Sequence, residues 1–407
     1  MTFDQKTADA GEKAAKKDFE FSFHLPTRIE FGYGKAAGLG KRLRQLRAGS
    51  VFLVSDKGVE SAGLLTGLTE SLQASGIHYD VHTDVEPDPS LDTVNRGAEA
   101  FRAKRYDCIV AVGGGSSIDT AKGIRILAAN GGSISEYAGI ERVPAASTVP
   151  LVAVPTTAGT GSEVTMFGVY SDWANNVKVT VTSPHMAPSI ALVDAELTMR
   201  LPAAMTAASG IDALAHGIEA LFSVRARPSS DVLAKEGIAA VSSCLRRAVQ
   251  NGSDVEARIG MAHGSLLAGM AFNNAFLGLA HAIGSALSGH CHVPHGIAIG
   301  LLLPHVVAFN TSACPDKAAI IAGLMSSGEE RHRHDPSEAA SAVAKLVREI
   351  GLPLCLREVG VPEKKLPEIA RDAFKSGMMR FNPRVPTEPD VLELLERLYD
   401  FHDLWGD

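Results

Sequence analysis

The chain has 407 residues, 45% of them hydrophobic and 21% charged, a composition typical of a soluble globular protein too long for one compact core. Its formal net charge of −7 and the lack of a basic run exclude a nucleic-acid-binding protein, and no segment approaches the ~18 apolar residues of a membrane span. The five cysteines are scattered without a CxxC pair, which argues against a disulfide framework or a structural zinc knot and favours a cytoplasmic location.

The first half of the chain alternates strand and helix patterns after a polar start. Residues 1–18 are charged and lack the apolar core of a signal peptide, so we predict a flexible tail. Apolar runs predict strands at 50–56, 78–85, 106–115 and 149–157, and helical periodicity marks 64–76 and 90–105. Nearly all-apolar strands suit a parallel sheet with helices on both faces, so residues 19–202 are predicted to form an α/β domain.

The second half is rich in alanine and leucine at helical spacing. Helices are predicted within 201–223, 231–250, 256–272 and 336–351, and strand-like runs nearly vanish. Residues 203–407 are therefore predicted to form an all-helical carboxyl-terminal domain. The boundary is placed at Leu201-Pro202, because proline disfavours helical geometry in the preceding residue and starts helices well.

Two glycine-rich turns follow predicted strands. The first runs through Gly113, Gly114, Gly115 and Ser116 into a helix whose first turn carries Asp119. It is neither GxGxxG nor a Walker loop, and it suits either phosphate binding at a helix start or a merely tight turn. The second turn, 155–165, carries the hydroxyls of Thr156, Thr157, Thr160 and Ser162. Two such turns predict a dinucleotide across the carboxyl edge of the sheet, so residues 19–202 become a dinucleotide-binding domain.

Asp56 ends a predicted strand and allows two interpretations. A carboxylate there can accept hydrogen bonds from a ribose diol and repel a 2′-phosphate, which favours NAD over NADP. It can equally be a turn or cap residue just before Lys57 and Gly58. The local sequence leaves both open.

A carboxylate and three imidazoles form a candidate metal site. Asp212 and His216 lie four residues apart on one helix face, and their small, apolar neighbours indicate a buried pair that needs a partner or an ion. His281 and His295, fourteen residues apart, complete a set that suits Fe²⁺ or Zn²⁺ rather than Ca²⁺ or Mg²⁺. An isolated D-x-x-x-H would instead indicate a polar surface stripe.

Other histidines are assigned simpler positions. His290 and His292 flank Cys291 in a polar run and are interpreted as exposed or cleft-lining. His305 is interpreted as a packing residue.

Six motifs in order resemble the iron-containing, group III alcohol dehydrogenases from about residue 23 to the carboxyl end. They are GGGSSIDTAKG, PTTAGTGSEVT, GIDALAHGIEA, the His281-to-PHG spacing, LLLPHVVAFN and FNPR. The resemblance implies a catalytic cleft between the two domains and a homo-oligomer, a dimer or larger. The metal ligands it implies are Asp212, His216, His281 and His295. The cofactor-side residues it implies are Gly113, Gly114, Gly115 and Ser116 at the pyrophosphate, with Asp56, Thr156, Thr157 and Lys178 at the remaining parts.

The chain departs from the family pattern at one position. Many members read H-x-x-x-H-P-L-G after the first cleft histidine, whereas here the second histidine is replaced by Ser285. The metal assignment is unaffected, because that histidine is not a primary ligand in the pattern. We keep Ser285 as a candidate catalytic residue for a proton relay with His290 or His292.

The predicted function is a metal-dependent, NAD(H)-linked oxidoreductase that interconverts a small alcohol and its aldehyde or ketone. Fe²⁺ is the expected metal with Zn²⁺ as the alternative, and NADP is the less favoured cofactor. The metal would act as a Lewis acid on the substrate oxygen. The alternatives are a maleylacetate-reductase-like enzyme without the full metal set, a dehydroquinate-synthase-like lyase that shows no net NADH turnover, and a non-enzymatic metal-binding protein.

Overall fold

The computed structural model describes residues 20–326 and 335–400, so the predicted tail at 1–18 lies outside the described residues. A six-stranded sheet fills the first half, and all of its paired strands run parallel. Its strands are β1 (Arg28–Phe31), β2 (Ser50–Val54), β3 (His78–His82), β4 (Cys108–Gly113), β6 (Leu151–Pro155) and β9 (Ile190–Val193), in the spatial order β1-β9-β6-β4-β2-β3. The predicted parallel sheet is confirmed.

Helices cover both faces of this sheet, which explains why its central strands are apolar throughout. The helices of this half are α1 (Leu39–Gln45), α2 (Lys57–Ser61), α3 (Thr66–Ala74), α4 (Leu91–Arg102) and α5 (Gly115–Asn130). In β2, Leu53 packs into the cluster under α1 and α3, whereas its neighbour Phe52 packs into the cluster under α4 and α5. Successive side chains of a strand point to opposite faces, so a sheet buried on both sides requires apolar residues at every position.

A smaller sheet of three strands was not predicted. It contains β5 (Gly139–Ile140), β7 (Phe167–Asp172) and β8 (Val177–Thr182), in the order β5-β8-β7. Its strands are short or alternate apolar with polar residues, because the sheet is only partly buried. The Tyr170 hydroxyl in β7 donates to the carbonyl of Asp119 in α5 at 2.9 Å, which holds this sheet beside the helix that follows the first glycine turn.

The described residues after 202 contain helices and no strand, as predicted. The helices are α6 (Ala203–Phe222), α7 (Pro228–Gln250), α8 (Val255–Ala275), α9 (Leu279–Cys291), α10 (His295–Thr311), α11 (Pro315–Met325), α12 (Glu338–Glu349), α13 (Leu366–Ala373) and α14 (Glu388–Arg397). Short 3-10 helices lie at Lys35–Gly38, Ile134–Tyr137, Ser162–Val164, Pro184–Met186, Ala195–Thr198, Glu363–Lys365 and Met379–Phe381. The exact limits 19–202 and 203–407 of the two domains stay a prediction.

The helical run before His281 is interrupted. The chain leaves α8 at Phe276, whose φ of 64° is left-handed, and α9 starts again at Leu279. Among the described residues no single helix is both long and apolar enough to cross a membrane; α8 and α9 meet that test only as a pair bent by 99°. The bend turns α9 so that His281 faces α6.

We expect Gly264→Ala to lower the free energy of unfolding by about 1–3 kcal/mol, because the added Cβ overpacks the contact between α7 and α8. That Cβ would lie 2.7 Å from Val241 Cγ2 and 3.1 Å from the Val241 amide nitrogen. Gly67→Ala in α3 is the matched control, since its Cβ meets nothing within 4 Å and a helical alanine gains up to about 1 kcal/mol over glycine. Urea denaturation of both variants measures the difference. Equal stability of the two variants would contradict the packing of α7 on α8.

Candidate active site

Three imidazole nitrogens converge on one carboxylate oxygen. Asp212 and His216 lie one turn apart in α6, His281 lies in the first turn of α9, and His295 is the first residue of α10. The Oδ1 atom of Asp212 is 3.7 Å from His216 Nε2, 3.3 Å from His281 Nε2 and 3.5 Å from His295 Nε2. The structure therefore brings all four predicted ligands to one oxygen. Asp212, His216 and His281 form the tight group, and His295 lies at its edge.

Burial leaves part of this cluster without hydrogen bonds. Asp212, His216 and His281 are each less than 5% exposed, whereas the His295 side chain is 34% exposed. Among the described residues, Asp212 Oδ1 and His281 Nε2 are buried and have no hydrogen-bond partner. Unpartnered buried polar atoms cost free energy, and a divalent cation bound by these atoms removes that cost. One carboxylate oxygen and three imidazole nitrogens fit a first-row metal such as Fe²⁺ or Zn²⁺.

The second ring nitrogen of two of these histidines has its own partner. His281 Nδ1 donates to Glu219 Oε2 at 2.6 Å, and His216 Nδ1 donates to the Gly159 carbonyl at 3.2 Å. Such bonds fix the tautomer with the proton on Nδ1, so both Nε2 lone pairs face Asp212. These hydrogen bonds hold the rings of His281 and His216 in the orientation that a metal ligand needs.

Glu219 also anchors the start of α9. Its carboxylate accepts the Gly278 N–H at 3.1 Å and the Ala280 N–H at 2.6 Å, while Asn382 Oδ1 accepts the Leu279 N–H at 3.3 Å. The helix has no side-chain cap of its own. Glu219 and Asn382 therefore satisfy the free amide groups that every helix start exposes. In doing so they fix the position of the helix turn that carries His281.

Glu219 was missed by the sequence analysis. A signal was present, because Glu219 follows His216 by three residues and shares its helix face, but a glutamate is not distinguishable there from an unrelated polar residue until α9 is placed.

Burial and the facing charges shift the pKa values of this cluster in opposite directions. Burial lowers the pKa of His216 to about 4. Burial also acts to lower the pKa of His281, but the carboxylates of Asp212 and Glu219 outweigh it and raise the value to about 9. Burial acts to raise the pKa of Asp212, and the surrounding imidazoles, His216 first, hold it well below its usual value. A metal ion therefore has to compete with a proton for His281.

The two glycine-rich turns lie side by side at the carboxyl edge of the main sheet. Gly113 at the end of β4 pairs in register with Pro155 at the end of β6. Gly113 has φ 153°, and a Cβ there would lie 2.4 Å from Ser117 Oγ, while a Cβ on Gly115 would lie 2.8 Å from Thr160 Cγ2. Only glycine fits these positions. Within the described part of the chain no side chain caps the start of α5, so its amide groups remain available for an anion.

Asp56 takes the cap position that was one of its two interpretations. Its Oδ1 atom accepts the Val59 N–H at 2.9 Å at the start of α2, and its Oδ2 atom accepts the Ser117 hydroxyl at 3.0 Å. A Cβ on Gly113 would lie 3.1 Å from Oδ2, so the same carboxylate also borders the glycine turn. Its role toward a ribose stays a prediction.

The predicted hydroxyl residues of the second turn separate into two groups. Thr156 is buried, and its amide bonds the Gly113 carbonyl at 3.0 Å, so it joins the two turns. Thr157 lies next to Gly114, with Oγ1 3.5 Å from the position of a Cβ there. Thr160 and Ser162 line the cleft.

The remaining cofactor-side predictions form a polar strip along the cleft. Lys178 Nζ donates to Asp88 Oδ1 at 2.6 Å, and Ser116 Oγ accepts the Asp88 N–H at 3.2 Å, so Asp88 links the two. Asp119 lines the cleft too, but its carboxylate accepts the Val169 N–H at 2.9 Å and the Ser162 hydroxyl. The observed contacts of Asp119 are therefore hydrogen bonds within the protein, and its contact with a cofactor stays a prediction.

One cleft of about 770 Å³ contains both ends of this arrangement. Its lining includes Gly115 and Ser116 of the first glycine turn as well as Asp212, His216, His281 and His295. Apolar side chains form much of the wall near the histidines: Phe167, Phe272, Phe276, Leu277, Met378 and Phe381. A dinucleotide extended from the glycine turn toward the histidines would therefore bring its far end next to the metal cluster.

Ser285 lines this cleft and is half-buried, and its hydroxyl makes no hydrogen bond with the described residues. His290 also lines the cleft, with Nε2 2.9 Å from Asp372 Oδ2. His292 is exposed and contacts Trp173, with ring centroids 5.1 Å apart and the rings tilted by 51°. His305 lies in α10, outside the residues that line the cleft in the described chain.

Comparison with known proteins assigns the family. The profile described as "Iron-containing alcohol dehydrogenase" matches residues 26–195, and "Fe-containing alcohol dehydrogenase family, C-terminal" matches 206–399. The chain belongs to the iron-containing alcohol dehydrogenase family. The resemblance seen in the sequence is confirmed, and with it the expectation of an oxidoreductase that interconverts alcohols and carbonyl compounds.

Named members of the family match almost the whole chain. A 1,3-propanediol dehydrogenase of Citrobacter freundii is 40% identical over 385 residues, 93% of this chain and 99% of the relative. The NAD-dependent methanol dehydrogenase of Bacillus methanolicus is 37% identical over 379 residues, with 92% and 99% covered. The crystal structure of a 1,3-propanediol oxidoreductase superposes with a TM-score of 0.90 at 39% identity, with 93% and 100% covered.

We expect Glu219→Gln to lower the affinity for Fe²⁺ or Zn²⁺ about 10- to 100-fold, because the amide removes the charge that orients His281. Metal titration of the metal-free protein measures this loss. Glu236→Gln on the exposed face of α7 is the matched control and should bind metal normally. Normal affinity in Glu219→Gln would show that the hydrogen bond to His281 does not support the metal cluster.

Proposed function

We propose that Asp212, His216, His281 and His295 bind Fe²⁺, with Zn²⁺ as the alternative, and that a small alcohol and its aldehyde or ketone are interconverted there with NAD(H). The observation that carries the proposal is the convergence of three imidazole nitrogens on the unpartnered Oδ1 atom of Asp212, at one end of a cleft whose other end is a glycine turn. The cleft has to hold the nicotinamide as well as the substrate, which favours a small substrate.

Each part of the cleft has a distinct task in the proposed reaction. Bound by these four side chains, the metal supplies Lewis acidity that favours loss of the alcohol proton. The amide groups at the start of α5 hold the pyrophosphate. Phe167 and Phe272 exclude water from the place where hydride passes between substrate carbon and nicotinamide. The Ser285 hydroxyl, in the position where many relatives carry histidine, relays the proton exchanged with the substrate: it releases its own proton to solvent in the cleft as it receives one, and the reverse in the other direction.

Asp56 supports a preference for NAD over NADP. Its carboxylate borders the glycine turn, so a 2′-phosphate near it would meet a negative charge. We extend the proposal to the assembly and the compartment: the family resemblance supports a homo-oligomer, a dimer or larger, and the five free cysteines support a reducing cytoplasm.

We expect metal removal to abolish NADH-dependent aldehyde reduction and Fe²⁺ to restore it. His281→Ala should lose bound metal and reduce turnover on the order of 100-fold or more, because one of three imidazole ligands is gone. Metal analysis and NADH oxidation with a panel of small aldehydes, both under anaerobic conditions, measure these changes. His263→Ala, an exposed position in α8, is the control. Full turnover by the metal-free protein would instead favour a maleylacetate-reductase-like enzyme.

We expect Asp56→Asn to improve the use of NADPH about tenfold relative to NADH, equivalent to ~1.4 kcal/mol, because the charge is removed while asparagine still caps α2. The ratio of kcat/KM for the two cofactors is the measurement. Glu60→Gln, in the same short helix, is the control. An unchanged ratio would leave Asp56 with its capping role alone.

A further inference from the structure

Lys122 is a buried cation that the proposed mechanism does not use. It lies in α5, two turns after the glycine turn, and its side chain is fully buried. Its ammonium donates to Ser162 Oγ at 2.8 Å, to the Phe167 carbonyl at 2.6 Å and to Thr165 Oγ1 at 3.2 Å. Its three N–H groups thus have acceptors at the end of the second glycine turn and just after it.

Two acidic groups balance this cation. Asp119 Oδ1 lies 3.3 Å from Lys122 Nζ. Glu163 is buried beside it, and burial raises the pKa of Glu163 to about 7 although the attraction of Lys122 opposes that rise. A buried ammonium is costly unless it is paired and fully hydrogen-bonded, and both conditions are met here. Lys122 is not among the described residues that line the cleft, so its effect reaches the cleft through the residues it holds.

The residues held by Lys122 form the middle of the cleft wall. Ser162, Thr165 and Phe167 all line the cleft. The ring of Phe167 stacks on Phe272 with centroids 5.8 Å apart, and Phe272 stacks on His216 at 4.3 Å. Lys122 therefore connects the helix of the glycine turn with the wall that reaches the metal cluster.

The position of this wall decides which half of a dinucleotide it touches. The pyrophosphate belongs at the start of α5, and the nicotinamide has to reach a substrate held at His281 and its neighbours. The segment from Ser162 to Phe167 spans these two points, because Ser162 bonds Asp119 of α5 and Phe167 reaches His216 through Phe272. A dinucleotide held in this way would contact the segment with its nicotinamide half, whereas its adenosine half would lie toward Asp56, which borders Gly113.

We propose that Lys122 is a positioning residue for the nicotinamide half of the cofactor, acting through Ser162, Thr165 and Phe167. This proposal rests on the proposed NAD-linked function. It predicts that loss of the ammonium weakens binding of the whole dinucleotide and leaves binding of its adenosine diphosphate half unchanged.

The test compares NADH and ADP binding to the metal-loaded protein. In Lys122→Met we expect the Kd for NADH to rise roughly 10- to 100-fold, because a buried charged hydrogen-bonding group is removed, while the Kd for ADP stays within about twofold. KM for NADH should rise by a similar factor, and metal content should not change. Lys122→Arg should fall between wild type and Lys122→Met, and Lys104→Met, an exposed lysine of the same half, is the control.

Equal loss of ADP and NADH affinity, or no loss of either, would overturn the proposal. Lys122→Met leaves Asp119 without its cation, so Lys122→Met/Asp119→Asn and the single variant Thr165→Val serve as further variants if Lys122→Met does not fold. Both should show the same selective loss, smaller in Thr165→Val. These are binding measurements, so an inactive wild type that still shows the selective loss would overturn the proposed reaction and support the role of Lys122.

Discussion

The Oδ1 atom of Asp212 is the point around which the helical half is organised. Helices α6, α9 and α10 approach one another so that His216, His281 and His295 all face this oxygen, and the described residues offer it no hydrogen bond. A charged oxygen in such a place destabilises the fold unless a cation compensates it. The bend after α8 and the hydrogen bonds from the start of α9 to Glu219 fix the position of His281, and so they place its ring next to Asp212.

The dinucleotide side depends on a different constraint, the close approach of two turns. Gly113 and Gly115 leave no room for a Cβ, and Thr156 bonds the Gly113 carbonyl across the two strands. Lys122, in the helix that follows the first turn, donates hydrogen bonds to Ser162 of the second turn and to the Phe167 carbonyl. Through Phe272 and His216 the two ends of the cleft share one packed wall, so a change at the cofactor end alters packing at the metal end.

Much of this architecture was predictable, and the reasons differ from element to element. Strand β4 is apolar at every position, and β2 is apolar at every position except Ser50, because helices cover both faces; that pattern is strong in sequence. Strands β1 and β9 have only four residues each, and β7 and β8 are partly exposed, so their patterns are too weak to detect. The grouping of Asp212 with three histidines came from residue chemistry and family resemblance, whereas Glu219 acts through a helix start that only the tertiary structure supplies. For Asp56 the local sequence allowed two roles. The structure shows that it caps α2, and its contact with a ribose stays a prediction.

The most direct test of this account is the location of the metal. Crystals of the metal-free protein, exposed to Fe²⁺ without oxygen, would be measured at the iron absorption edge. We predict one strong anomalous peak bounded by Asp212 Oδ1 and the Nε2 atoms of His216, His281 and His295. A peak elsewhere in the cleft, or no peak at full occupancy of the cofactor, would contradict the assignment of this cluster as the metal centre.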